Sequence, residues 1–295
     1  MLPSRTGFFE RSYEDNAILQ KGFNAQIVDD FIAYILRVCP EAKWHQIKVL
    51  DLCCGDGAVT EAIFKKCMKA GILIKGMVGC DISPEQIDVA TEKYGKRFPE
   101  LTFRCQDALA MTDENEFDVV ICSFGMHWFS DIDTIARVME KAIKPGGKLV
   151  CFTPLEKTQF FSMRSELVAS PKWAQHFEGF TLRPFIDNPD RYVNAFSTAF
   201  KMENEGGIRG TQRVDFAREN FKKFLSSWMQ ELRHLPLELR DVYLNDLLGK
   251  LPRSEKGVIN DVEITADGTI QFYERFSWIH AESKKLLTHA PMAKL

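Results

Sequence analysis

The chain has 295 residues, with 38 Lys or Arg against 41 Asp or Glu, a formal charge of −3. That balance argues against a general grip on nucleic acid, which needs excess positive charge. At this length folding buries about three quarters of the unfolded surface, so a full core needs no staples. The longest stretch free of Asp, Glu, Lys and Arg is the twelve residues Val119 to Ser130. A spanning helix needs about 20, so no membrane span is expected. The N-terminus lacks the apolar region of a signal peptide, which predicts a cytoplasmic location. All eight cysteines lie between Cys39 and Cys151, and none forms a CxxC pair. Neither a disulfide framework nor a metal site is expected from that pattern.

In chain order, Asn24 to Val38 carries one apolar helical stripe, Ile27, Val28, Phe31, Ile32, Ile35 and Leu36, ended by Cys39-Pro40. Ile47 to Leu52 reads as a buried strand, closed by the turn Cys53-Cys54-Gly55-Asp56-Gly57. Ala58 to Lys69 reads as a helix that stops at Gly71. Gly76 to Cys80 is a second strand, ending in Asp81. Ser83-Pro84-Glu85-Gln86 then opens a helix with Ser as cap and Pro at its first position. Leu101 to Gln106 is a third strand, ending in Asp107, and Phe117 to Phe124 a fourth, buried on both faces. Asp133 to Ile143 is a helix, after which Pro145-Gly146-Gly147 turns the chain into a fifth strand, Lys148 to Thr153. Strands alternating with helices predict a parallel sheet covered on both faces.

The second half has a different texture. Phe160 to Phe196 is rich in aromatics and broken by prolines. Ala217 to Leu232 predicts one helix with Phe221, Phe224, Leu225, Trp228, Met229 and Leu232 on a face, and Leu237 to Leu248 another. Phe200 to Glu203, Thr211 to Phe216 and Gly268 to His280 read as strands, the last two antiparallel. The layout is one α/β domain with helical material added at one sheet edge.

In an open α/β sheet, ligands bind outside the carboxyl ends of the strands. Here those ends carry Asp51 with its glycine turn, Asp81, Asp107, and the loop from Ser123 to Trp128. Gly55 and Gly57 permit close backbone approach. Asp81, 24 residues after Gly57, suits the two hydroxyls of a ribose. Together these point to a nucleoside-containing cofactor. A dinucleotide fingerprint needs a third glycine where Thr60 stands, and the phosphate loop is missing. A cofactor without phosphate therefore fits the turn better than NAD or ATP.

With those residues in view, the chain resembles the class I S-adenosylmethionine-dependent methyltransferases. Asp51-Leu52-Cys53-Cys54-Gly55-Asp56-Gly57 stands for D-[LIV]-G-x-G-x-G, with Cys53 replacing the first glycine. Phe117-Asp118-Val119-Val120 and Lys144-Pro145-Gly146-Gly147-Lys148-Leu149 match the fourth and fifth strand motifs. The resemblance implies a doubly wound, mostly parallel, seven-stranded Rossmann-like sheet with a helical cap. It implies S-adenosylmethionine as cofactor, held by Asp51, Cys53, Gly55, Gly57, Asp81, Ile82, Asp107, Ala108 and Ser123. Asp81 would bind the ribose, Ile82 would cover the adenine, and Asp107-Ala108 would read its edge.

A narrower resemblance rests on Tyr13-x6-Gln20 and on Met126-His127-Trp128. These look like the small-molecule carboxyl methyltransferases, a group including juvenile hormone acid, trans-aconitate and malonyl-carrier-protein methyltransferases; the juvenile hormone acid enzymes are the most similar. It implies that Tyr13, Gln20, His127 and Trp128 face a small-molecule acceptor. Residues 1–44 would be an N-terminal helical segment over the site, 45–154 the cofactor core, and 155–295 a substrate-covering region plus the last antiparallel strands. Phe160, Phe161, Trp173, Phe177, Phe180 and Phe185 would line an apolar acceptor pocket. The expected reaction is methyl ester formation on an apolar or amphipathic acid. Methylation of an amine or hydroxyl, with His127 as catalytic base, is the alternative. A cofactor-binding module without catalysis is the third. The sequence leaves the acceptor and the oligomeric state open.

Overall fold

A computed structural model describes residues 18–39, 42, 45–155, 158–182, 189–203, 208–256, 258 and 260–285. The chain divides into two compact units. One comprises Met1–Lys21, Pro154–Asp187 and Gly210–Phe276; the other comprises Gly22–Thr153, Asn188–Arg209 and Ser277–Leu295.

The second of these holds the parallel sheet. Its strands are β1 (Ile47–Leu52), β2 (Ile74–Asp81), β3 (Leu101–Cys105), β4 (Phe117–Ser123), β5 (Ile143–Pro154), β6 (Phe200–Met202) and the end of β9 (Ile270–Ser283). They run in the order β3-β2-β1-β4-β5-β9-β6. β1 is parallel to β2 and β4, β2 to β3, and β4 to β5, while β9 is antiparallel to β6. This is the doubly wound, mostly parallel seven-stranded sheet, and β7 (Ile208–Phe216) and β8 (Val262–Ile264) also pair with β9. Val49, Leu50, Leu52, Val119, Val120, Cys122 and Leu149 are fully buried, as a sheet covered on both faces requires.

Helices α1 (Ile18–Val38), α2 (Ala58–Lys69), α3 (Pro84–Ala90), α4 (Ile132–Ala142) and α6 (Pro189–Ser197) accompany these strands. α1 buries Ile27, Val28, Phe31, Ile32 and Ile35, and its Tyr34 stacks on His280 of β9 with ring centroids 4.2 Å apart. α2 buries Thr60, Ile63, Phe64 and Cys67, the i, i+3, i+4, i+7 face. Ser83 caps α3, accepting the Gln86 N–H, with Pro84 at the first helical position. Asp131 caps α4, accepting the Thr134 N–H at 2.9 Å.

Two expectations about these elements need correction. The fifth strand begins at Ile143 rather than Lys148, so Pro145-Gly146-Gly147 interrupts a strand instead of preceding it. The pairing shifts register there, from Phe117–Ile143 to Val119–Lys148. Gly146 takes φ 72°, and a Cβ on Gly147 would stand 2.7 Å from the Ile143 Cγ2 and 2.9 Å from the Asp118 carbonyl. Only glycines let the bulge close. Lys148, buried in β5, is answered by Glu203 at 3.2 Å and by Glu282.

The other unit contains α5 (Thr158–Val168), α7 (Arg218–Trp228) and α8 (Leu237–Gly249), with β8 antiparallel to the start of β9. The second correction lies here. The single helix expected over Ala217 to Leu232 stops at Trp228, and a 3₁₀ turn follows at Glu231–His234. The break aims Glu231 at Arg164 of α5, which donates to it from Nε at 2.8 Å and Nη2 at 2.9 Å. Phe160, Phe216, Phe221, Phe224 and Phe272 pack around one another in this unit's core. Trp173 and Phe177 are buried too, both against Tyr243, and the Trp173 indole donates to Asp246 at 2.8 Å. Phe160, Trp173 and Phe177 thus serve as packing; Phe185 lies outside the described residues. Among the described residues no helix is long and apolar enough to cross a membrane.

Candidate active site

Asp51, the next-to-last residue of β1, is fully buried and accepts a hydrogen bond from the Thr60 hydroxyl at 2.5 Å. Burial pushes its carboxyl up to about 7; the Thr60 bond opposes that rise, and the charge of Asp81 adds to it. Thr60 occupies the place where a dinucleotide site would have its third glycine. Sequence reasoning used it only to reject that pattern; its role as the partner of Asp51 went unseen.

The turn after β1 is held by left-handed residues: Cys53 at φ 61°, Gly55 at 54° and Gly57 at 78°. For an L-residue that region costs roughly 1–2 kcal/mol, so Cys53 is strained where glycine would not be. A Cβ on Gly55 meets nothing within 4 Å, so its backbone faces open space that a ligand can enter. A Cβ on Gly57 would stand 2.8 Å from the Phe103 ring and 2.9 Å from Ala90. No basic side chain lies within the turn.

Asp81 closes β2 and fastens the turn. One carboxylate oxygen accepts the Gly55 N–H at 3.1 Å, and the other accepts the Ser83 N–H at 2.9 Å. Each oxygen keeps lone pairs for a further donor. Next to it Ile82 is 48% exposed, and Leu109 is 45% exposed beyond β3. Ile82 thus sets a bare aliphatic side chain directly after that carboxylate. Asp107 caps the short 3₁₀ turn after β3 by accepting the Leu109 N–H at 2.9 Å, while Ala108 is buried. Leu109 was missed by sequence reasoning; its place two residues after Asp107 was the available signal.

Cys53 follows β1 directly and meets Cys122 of β4. Its hydrogen bond with the Cys122 thiol, together with burial, pushes the Cys53 thiol well above its ordinary value. Burial does the same to Cys54, helped by the charges of Asp51 and Asp81. At neutral pH both are therefore thiols, not thiolates.

Ser123, the last residue of β4, is half-buried, and Phe124 takes φ 54° while donating its N–H to the Phe152 carbonyl at 2.9 Å. Gly125 follows, then the single 3₁₀ turn Met126–Trp128, whose Trp128 N–H donates to the Gly125 carbonyl at 3.1 Å. Met126 is buried, His127 is half-buried, and Trp128 is 47% exposed with its ring 4.9 Å from that of His127. A tryptophan this exposed is not a core aromatic. Of the other expected acceptor residues, Tyr13 lies outside the described residues, and Gln20 is described only as part of the α1 backbone.

A separate cleft of about 310 Å³ between α4 and α6 is lined by Ile132, Asp133, Asp190, Arg191, Asn194 and Ala195. It is mostly polar and does not match an apolar acceptor.

The residues present suit S-adenosylmethionine: a glycine turn without a basic side chain that opens on free space, a carboxylate with lone pairs to spare, and the exposed aliphatic Ile82 next to it. Comparisons with known proteins agree. Residues 49–147 match the family model described as a methyltransferase domain. The chain is 30% identical over 116 residues to an uncharacterized methyltransferase of Schizosaccharomyces pombe, covering 36% of this chain and 38% of the relative. It is 24% identical over 153 residues to the malonyl-[acyl-carrier protein] O-methyltransferase of Priestia megaterium, covering 52% and 51%. To the juvenile hormone acid O-methyltransferase of Bombyx mori it is 29% identical over 184 residues, covering 60% and 64%. The matches thus span less than two thirds of each of these relatives. In fold, a crystal structure of a candidate methyltransferase from Bacillus halodurans aligns with a TM-score of 0.56 at 15% identity, covering 84% of this chain and 97% of that one.

Proposed function

We propose, on the premise that residues 49–147 form a methyltransferase domain, that the protein uses S-adenosylmethionine to form methyl esters of a small apolar or amphipathic carboxylic acid. When bound, that cofactor supplies a sulfonium methyl that is already electrophilic. Asp81 would accept from the ribose hydroxyls, through charge-assisted bonds of roughly 1.5–3 kcal/mol each. Ile82 and Leu109 would flank the adenine, with Asp107 and Ala108 at its edge. The turn from Asp51 through Cys53, Gly55 and Gly57 would receive the methionine end, with Ser123 beside it.

The acceptor side then has little chemistry to perform. A carboxylate titrates near pH 4, so at pH 7 it is already the nucleophile and needs no base. What remains is alignment, worth up to about 7–11 kcal/mol. The observation that carries this reading is Trp128, 47% exposed on the loop after β4; an indole N–H is a neutral donor of the kind that can hold one carboxylate oxygen without quenching its charge. The resemblance adds the Gln20 amide as a second donor. Two of the relatives support the choice of acceptor, one named for juvenile hormone acid and one for a malonyl group.

The test is incubation of a metabolite extract with the protein and methyl-labelled S-adenosylmethionine. The expected product carries label that mild alkali releases as methanol. Alkali-stable label would overturn the ester and point to an amine or hydroxyl, with His127 as base. Trp128→Ala is expected to abolish ester formation while S-adenosylhomocysteine still binds; unchanged turnover would remove Trp128 from the site.

A further inference from the structure

Among the described residues only three non-glycines have positive φ: Cys53, Asn115 and Phe124. Asparagine tolerates this region, but cysteine and phenylalanine do not. The two costly positions stand at either side of one contact. Phe124 leads into Gly125, and a Cβ placed on Gly125 would lie 2.7 Å from the Cβ of Cys53, 3.0 Å from its Sγ and 2.6 Å from the Sγ of Cys122. The backbone at 125 therefore rests directly on the side chain of Cys53. Were position 53 glycine, as in the motif it resembles, that face of Gly125 would keep the Cys122 sulfur but lose both atoms of the Cys53 side chain.

We propose that Cys53 is a positioning residue, a spacer that sets the distance between the cofactor turn and the loop carrying Trp128. The inference rests on the methyl-transfer reading for its consequence, though not for its geometry. The path is continuous. Asp81 holds the Gly55 N–H, Gly55 belongs to the same turn as Cys53, Cys53 abuts Gly125, and the Gly125 carbonyl accepts the Trp128 N–H. The Phe124 N–H bond to Phe152 fixes the loop from its other side. Cys53 lies in the turn proposed to receive the methionine end, and its effect on alignment runs through Trp128. In a displacement governed by alignment, a misplacement of about 1 Å costs on the order of 100-fold in rate.

The experiment compares Cys53→Gly, Cys53→Ala and Cys122→Ala by ¹⁹F spectroscopy after 5-fluorotryptophan labelling. The chain has five tryptophans, and Trp128→Phe identifies the Trp128 signal. Cys53→Gly is expected to shift the Trp128 signal and lower kcat by about 100-fold, while affinity for S-adenosylhomocysteine falls far less. Cys53→Ala, which keeps the Cβ, is expected to bring the signal back and recover most of the rate. Cys122→Ala, which leaves the Cys53 Cβ in place, is expected to leave the signal where it was. An unmoved Trp128 signal in Cys53→Gly would overturn the spacer. So would an equal loss of cofactor affinity and turnover, or Cys53→Ala behaving like Cys53→Gly. Should Cys53→Gly not fold, a signal displaced in Cys53→Ala would overturn it as well. If even the unaltered protein transfers no methyl group, the functional reading falls while the Trp128 signal still decides the spacer.

Discussion

Replacing Asp51 by asparagine should invert the effect of that position on stability between acid and neutral pH. Asp51 is buried, and its folded carboxyl is pushed up to about 7, above the ordinary 3.8 that it regains on unfolding. An acid raised in the folded state holds its proton while the unfolded chain gives it up. The folded state carries no penalty below about pH 4 and a growing one from there to 7; above 7 the penalty is constant. The distance from 3.8 to about 7, at about 1.4 kcal/mol per pH unit, comes to about 4 kcal/mol. The neutral amide of Asp51→Asn escapes that penalty and can still accept from Thr60. Its extra N–H donors would want for partners, at a cost of about 1–3 kcal/mol. Asp51→Asn is therefore expected to be less stable than the parent by up to about 2 kcal/mol at pH 4.5 and more stable by about 1–3 kcal/mol at pH 8. Urea unfolding at half-unit pH steps, with m held common, measures the difference. Two parallel stability curves would show that Asp51 does not titrate in this range and would refute the reasoning.

Asp81→Ala should weaken S-adenosylhomocysteine binding by about 1.5–3 kcal/mol or more, since it removes both the proposed ribose acceptor and the Gly55 anchor. Calorimetry showing unaltered affinity would end that assignment. Gly57→Ala places a Cβ at 2.8 Å from Phe103 with φ at 78°, so a loss of about 2–4 kcal/mol in denaturant titrations is expected. Arg164→Met leaves Glu231 buried without its partner and should cost about 3–5 kcal/mol, and Arg164→Met with Glu231→Leu should recover most of it. A double variant no better than the single would show that the pair is not the source of the loss.

The parallel core was legible because its signals are local. Short apolar runs closed by Asp51, Asp81 and Asp107 read directly as strand ends, and Ser83-Pro84 read as a helix start. Errors arose where a distant partner decides local structure. The break at Trp228 could not be read from a continuous apolar stripe, because Arg164, which Glu231 turns to meet, lies 67 residues earlier. The buried Lys148 likewise depends on Glu203 and Glu282, from strands far along the chain. The bulge at Gly147 reads as a turn until the neighbouring strand is known. In the candidate site, residue types were readable but not their contacts. In the sequence Cys53 stands only as a replacement for the motif's first glycine, and its place against Gly125 exists only once β1 and β4 are adjacent.

The eight cysteines also have a practical side. Seven are buried or half-buried, and burial holds the thiols of Cys67 and Cys80 at about 12. Cys105 alone is exposed; it stands at the end of β3 with its thiol 3.6 Å from the Ile82 carbonyl. A thiol reagent meeting the native chain finds a single quick target, and it finds all eight only after unfolding. A small maleimide dye would therefore attach beside Ile82, next to the proposed ribose anchor Asp81. The protein comes equipped with a handle through which ligand occupancy there could be followed optically, without adding or removing a cysteine.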